Sequence, residues 1–200
     1  MPPERPLVLF DVMETLVHEP LFLEIPQFFG MTCAELMAAK HPTAWVEYEL
    51  GRASEAEFLA CFFRDGRAFD HAAFKRAVAT AYRWLPGMEE LLAELAQRGI
   101  ELHALSNYPD WFLVIEERLR LSRYLAWSFV SCRTGVRKPD ARAFTGALAT
   151  LGRAPEECLL IDDREPNCAA ARALGLAALR FTSAHELRGE LALRGLCAAR

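Results

Sequence analysis

The sequence predicts an α/β fold: a doubly wound parallel sheet of the Rossmann-like kind with an inserted, all-helical cap. Three observations predict it. Along the last two thirds of the chain, short apolar runs alternate with helical patterns, the layout of a parallel sheet covered on both faces. Residues 17–84 read as helix throughout, with no convincing strand among them. Carboxylates, a serine and a lysine come after the apolar runs, where open α/β sheets bind their ligands.

The elements follow in order. Residues 7–10 are an unbroken apolar run ending at Asp11 and form the first strand. The insert holds helices over 33–40 and 43–50, a start at Ser54 with Glu57 three residues on as a capping box, and a helix over 70–82. Pro86-Gly87 leads into a helix over 88–98 that Gly99 ends, and Pro139-Asp140 opens one over 141–151 that Gly152 ends. Strands are expected at 100–105, 128–130, 159–161 and 178–181, with a small-residue helix from Asn167 to Gly175 and an amphipathic helix over 183–200. The division is a core of residues 1–16 plus 85–200 and a cap of residues 17–84, set over the sheet end where Asp11 sits.

Composition narrows the function. The chain has 200 residues, 52% hydrophobic and 25% charged, enough for a sizeable core and unlike a disordered or collagen-like sequence. With 23 basic and 27 acidic residues the net charge is −4, so the electrostatic footprint of a nucleic-acid or anionic-membrane binder is missing. A phosphate-bearing ligand must then be held by a local pocket. The six cysteines show neither a C-x-x-C pair nor the crowding of a disulfide scaffold and are expected mostly as reduced core thiols. No apolar run approaches the length of a signal peptide or membrane span. The expectation is a cytoplasmic monomer or weak homodimer acting on a small phosphorylated metabolite, with no nucleic-acid or membrane partner.

Four strand ends carry the chemistry. Asp11 alone reads first as a helix or turn cap, the common case, and second as a nucleophile and metal ligand; the three other strand ends shift the weight to the second. Ser106-Asn107, after the second strand, offers a hydroxyl, an amide and backbone N–H groups to phosphate oxygens, or a helix cap. Lys138 precedes a helix start on the same side of the sheet. The adjacent carboxylates Asp162 and Asp163 repel each other unless a cation neutralises them, and Mg²⁺ suits oxygen ligands and phosphate.

In this order, Asp11, Ser106, Lys138 and Asp162-Asp163 resemble the four motifs of the haloacid dehalogenase superfamily over nearly the whole chain. The resemblance implies Asp11 as nucleophile, Ser106 as phosphate-binding hydroxyl and Lys138 as stabilising cation. It implies Mg²⁺ on Asp11, the backbone carbonyl of Met13 and Asp163, with Asp162 behind or bonded to the loop, and Asn107 and Thr15 in the phosphate cradle. The reaction implied is phosphomonoester hydrolysis through an aspartyl phosphate. One departure matters: the second Asp of the first motif is Met13, whose thioether cannot transfer protons. Glu14, the nearest carboxylate, is expected to take that catalytic role.

Several segments, among them residues 10–15, 24–31, 40–42, 65–67, 106–109 and 137–140, are similar to the plant chloroplast flavin mononucleotide hydrolases. That family also has Met at the position of Met13, followed by an acidic residue, and the resemblance implies riboflavin 5′-phosphate as substrate. Most aromatic residues of the insert are expected to fill its core, with Trp45, Tyr48 and Asp65-Gly66-Arg67 as candidate isoalloxazine contacts. His18 and His41 are expected to be structural. Two other readings stay open: a carbon–halogen hydrolase, which also lacks the second Asp and uses no Mg²⁺, and a non-catalytic protein that binds a phosphorylated ligand.

Overall fold

The four residues of β1 (Leu7–Phe10) are all apolar and all buried, as a strand with core on both faces requires. The computed structural model describes residues 6–198, so the first five residues of the expected core and the last two of the expected final helix lie outside the described residues. After β1 come α1 (Glu24–Phe29), α2 (Cys33–Ala39), α3 (Ala44–Glu49), α4 (Glu55–Ala60) and α5 (His71–Ala81). Then follow α6 (Met88–Gln97), β2 (Leu102–Ser106), α7 (Phe112–Leu119), β3 (Ala126–Val130), α8 (Ser131–Thr134) and α9 (Ala141–Leu151). The chain continues through β4 (Cys158–Asp162), α10 (Glu165–Ala173), β5 (Ala177–Arg180) and α11 (Ala184–Leu193).

The sheet order is β3-β2-β1-β4-β5, every pair parallel, so the expected doubly wound sheet is the one found. Alternation along the strands sorts side chains onto two faces. Leu7, Leu9 and Leu160 pack on α9 and α10 through Phe144, Leu148 and Ala171. Val8, Phe10 and Ile161 pack on α6 and α11, and that core runs on into the inserted helices through Leu16, Val17 and Tyr108.

The insert leaves and rejoins the sheet at one place. Val17 and Trp84 form an antiparallel bridge. His18 N–H donates to Arg83 O (3.0 Å) and Leu85 N–H to Leu16 O (2.8 Å). Between these points Thr32 with Glu35 and Ser54 with Glu57 both form capping boxes. Phe29, Phe62, Phe63, Phe69 and Phe74 meet with ring centroids 4.9–5.8 Å apart, so most of the aromatic content fills the insert's own interior.

Some boundaries differ from expectation. The final helix ends at Leu193 instead of continuing, because Gly195 turns at φ 71° and Leu196 and Cys197 fold back into the core. The small-residue helix begins at Glu165, with Pro166 in its first turn, so Asn167 lies inside it. Among the described residues all six cysteines are free thiols, three of them buried. No helix of the described residues is long and apolar enough to cross a membrane.

Gly51 holds α3 against α8. Its φ is +70°, and a Cβ there would overlap the backbone oxygen of Cys132. Gly51→Ala is expected to cost about 1–2 kcal/mol from the left-handed backbone alone, with the clash adding to it. At roughly 2–4 °C per kcal/mol for a chain of this size, a thermal melt should fall by several degrees; an unchanged melt would show that the seam yields freely.

Candidate active site

Side chains distant in sequence gather at the carboxyl ends of the central strands. Asp11 follows β1, and its N–H donates to Ile161 O at 2.8 Å, which aligns it with the end of β4. β2 ends in Ser106, β4 in Asp162, and Asp163 follows. Lys138 arrives on the loop between α8 and α9, which Asn107 clamps by two bonds. Asn107 Nδ2 donates to Lys138 O and Lys138 N–H donates to Asn107 Oδ1, both at 2.8 Å.

So placed, Lys138 is 2% exposed, and its Nζ donates to Asp11 Oδ1 (2.9 Å) and Asp162 Oδ2 (2.5 Å). Asp162 is wholly buried and fully bonded. Asn167 Nδ2 donates to both its oxygens (2.9 and 3.0 Å) and the Arg164 N–H donates to Oδ1 (2.9 Å). Asn167, expected to begin a helix, instead braces Asp162 with its side chain, a role that spacing within α10 does not reveal.

The electrostatics are those of carboxylates short of positive charge. Burial pushes Asp11 up to about 7; Lys138 opposes this, while Asp162 and Asp163 add to it. Asp163 is raised by burial and then by Asp162. Burial would lower Lys138, but Asp11 and Asp162 outweigh it and hold the ammonium above its ordinary range. Asp11, Asp162 and Asp163 each bring an oxygen within 4.8 Å of the others. Three carboxylates and one ammonium, offering only hard oxygen donors, fit a small divalent cation such as Mg²⁺.

A cleft of about 400 Å³ opens over this floor, lined by Asp11, Met13, Glu14, Glu19, Asn107, Lys138 and Asp163, with Glu49 and Trp45 from α3 above. Glu49 pairs with Arg137 across it. Behind lies an apolar cavity of about 50 Å³ under the inserted helices; Glu19, Leu21, Trp45 and Tyr108 line both spaces. Ser106 and Thr15, expected in the phosphate cradle, are buried and are not among the residues lining the cleft, and neither side-chain hydroxyl has a hydrogen-bond partner.

The other expected residues divide, some in the cleft, some away from it, and the two histidines in the structural roles expected of them. Glu14 enters the cleft at φ 55°, but its Oε1 accepts the Glu19 N–H (2.7 Å) and lies 3.6 Å from His18 Nδ1. Tyr48 is not a cleft contact: it is buried and donates to Asp110. Asp65 and Arg67 pair with each other on an exposed turn and line neither space. His18 bonds Glu24 (2.8 Å), and His41 Nδ1 accepts the N–H groups of Thr43 and Ala44, both structural roles.

Sheet order, motif placement and cleft together define a hydrolase class: residues 6–175 match the family of haloacid dehalogenase-like hydrolases, and the chain belongs to it. Within that family it is 42% identical over 191 residues to Flavin mononucleotide hydrolase 1 of Arabidopsis thaliana, covering 96% of this chain and 78% of that one. Among solved structures, a predicted HAD-like hydrolase of Porphyromonas gingivalis superposes with a TM-score of 0.74 at 23% identity, covering 98% and 99% of the two chains. A HAD family enzyme of Bacteroides thetaiotaomicron, in complex with magnesium and inorganic phosphate, gives 0.70 at 20% identity, covering 90% and 96%. These two likenesses bear on the fold.

The shift at Asp11 makes a cation site testable without turnover. Its carboxyl titrates near 7 when folded against an ordinary 3.8, so the folded state holds the extra proton. Its contribution to stability is full below about pH 4 and is lost as pH rises through 7. A bound cation favours the ionised form. Magnesium at about 100 times its dissociation constant is worth about 2.7 kcal/mol, so it should raise the melting temperature by several degrees at pH 8 and by little at pH 5. Equal shifts at both would place the cation elsewhere.

Proposed function

We propose that the protein is a Mg²⁺-dependent phosphomonoester hydrolase that forms an aspartyl phosphate on Asp11, with flavin mononucleotide as its substrate. The observation that carries this reading is the Asp11 carboxylate, held by a buried lysine at the floor of a cleft whose other carboxylates call for a cation. The 42% identity to a flavin mononucleotide hydrolase supports the substrate, and the magnesium and phosphate in the Bacteroides enzyme support the cation. Residues 17–84 then act as a cap closing the cleft over the core of residues 1–16 and 85–200.

Asp11, the Met13 carbonyl and Asp163 would hold the magnesium, which supplies neutralising charge to the phosphate and to the carboxylate that approaches it. Lys138 adds a second positive charge and, through its bond to Oδ1, fixes the rotation of Asp11. Asp11 attacks phosphorus. The unpartnered hydroxyls of Ser106 and Thr15, with the Asn107 backbone N–H, donate to the phosphate oxygens of a loose transition state, where positioning and charge do most of the catalysis. The Asn107 side chain is spent on Lys138, so it contributes through its main chain. Asp162 braces Lys138 rather than holding the cation directly, since Lys138, Asn167 and the Arg164 N–H already occupy its oxygens. Water then hydrolyses the acyl phosphate.

Met13 is the one residue that favours a carbon–halogen hydrolase, where no proton donor is needed. The cluster of three carboxylates around one ammonium argues the other way, because such a reaction needs no cation to offset them. A phosphate-release screen over flavin mononucleotide, sugar phosphates and nucleotides should show magnesium-dependent turnover greatest on the flavin ester. Turnover should fall to background in Asp11→Asn and with a chelator. Halide release from a 2-haloacid, unaffected by chelation, would sink the reading.

A further inference from the structure

Hydrolysis of an alkyl phosphate needs a proton for the departing oxygen, and Met13 cannot give one. We propose that Glu19 is the proton carrier of this site and that Glu14 positions it; the proposal rests on the phosphomonoesterase reading above. Glu19 stands where the cleft over Asp11 meets the apolar cavity behind it, and it lines both. It caps the 3-10 turn Pro20–Phe22, its Oε1 accepting the Leu21 N–H at 3.1 Å. Among the described residues no cation pairs with it. Glu14, turned inward by its left-handed backbone, accepts the Glu19 N–H and so pins the main chain from which the carboxyl projects.

Each carboxylate has one oxygen engaged by a backbone N–H, so it is their surroundings that separate them. Glu14 has a 43% exposed side chain. Glu19 faces the same space as Asp11 from a partly buried, apolar-backed position. The charged and titratable groups around it are Glu14, Asp11, Lys138, Asp163, Arg164 and the Glu49–Arg137 pair of the cleft. Tyr82 and Tyr108, hydroxyl to hydroxyl at 2.8 Å, and Lys40 and His41 of the cavity complete the set. Burial raises Glu19 to about 7; the Leu21 N–H opposes this, and the charges of Glu14, Asp11 and Glu49 add to it. A carboxyl titrating near neutrality can both give and take a proton at working pH.

The step balances. As the Asp11 oxygen bonds to phosphorus and the phosphorus–ester oxygen bond breaks, the electron pair stays on the leaving oxygen and the Glu19 proton moves to it, giving the alcohol. Water then attacks phosphorus and gives its proton to the Glu19 carboxylate. The bond to Asp11 breaks, phosphate leaves, and both carboxyl groups return to their starting states.

The test compares kcat/KM for wild type, Glu19→Gln, Glu14→Gln and Glu14→Ala on flavin mononucleotide, an alkyl ester, and p-nitrophenyl phosphate, whose leaving group departs without help. Glu19→Gln should lose about a hundredfold or more on the flavin ester, at least ten times its loss on the aryl ester. Wild type should lose flavin turnover as pH rises above about 7, and Glu19→Gln should lack that fall. Glu14→Gln keeps an acceptor oxygen for the Glu19 N–H and should show no substrate-selective deficit, whereas Glu14→Ala should. Thermal melts of each variant establish folding. Equal losses of Glu19→Gln on both esters, or a selective deficit in Glu14→Gln alone, would overturn the proposal. A wild-type enzyme that releases phosphate from neither ester fails at the earlier reading instead.

Discussion

One ammonium group, that of Lys138, makes the arrangement of the whole floor possible. An ion this deep is costly to desolvate, and so is each carboxylate beside it; placed together they become tolerable. Their backbones come from β1, β4 and the loop before α9, so the ion triad also fixes where the two strand ends and that loop stand relative to one another. Asn107 secures the loop's main chain and Asn167 the far side of Asp162, so two neutral amides complete what the three charges begin. Asp11 keeps its orientation because everything that touches it is itself held.

Above the floor the chemistry changes character. The inserted segment brings Leu21, Phe22 and Trp45 to the cleft beside two carboxyls, Glu19 and Glu49, and it is joined to the core by polar contacts. Tyr48 donates to Asp110, Trp111 to Glu55 (2.7 Å) and Ser131 to the Glu49 carbonyl, while Glu49 pairs with Arg137. Asp110 and Trp111 lie four and five residues beyond Ser106 on the same loop, so the segment that ends β2 answers both to the floor and to the roof.

The central strands and the acidic groups after them were legible for one physical reason: a central parallel strand is apolar on both faces, so Asp11 after β1 and Asp162-Asp163 at the end of β4 stand out. The inserted helices were readable where capping boxes and periodicity coincide, as at Ser54 and Glu57. What stayed hidden depends on side-chain contacts that neither spacing nor periodicity marks. Nothing local marks Asn167 as a partner of Asp162, or Tyr48 as a buried donor instead of a wall of the cleft. The six residues of α1 and the four of α8 are too short to display a period, and Glu19 precedes a turn of three residues with no repeat at all. The only local sign at Glu19 is an acidic residue ahead of Pro20, which many surface turns share.

The bridge between Val17 and Trp84 has a further consequence. Because the chain departs and returns through neighbouring hydrogen bonds, the segment between them hangs from the sheet as a pendant with its two roots side by side. Its two roots therefore place no demand on the register of β1 and β2, and its orientation is set by the seam of α3 on α8 and by the polar contacts named above. A change of length between the two roots leaves the strand ends that carry Asp11, Asp162 and Asp163 in register while altering the walls above them.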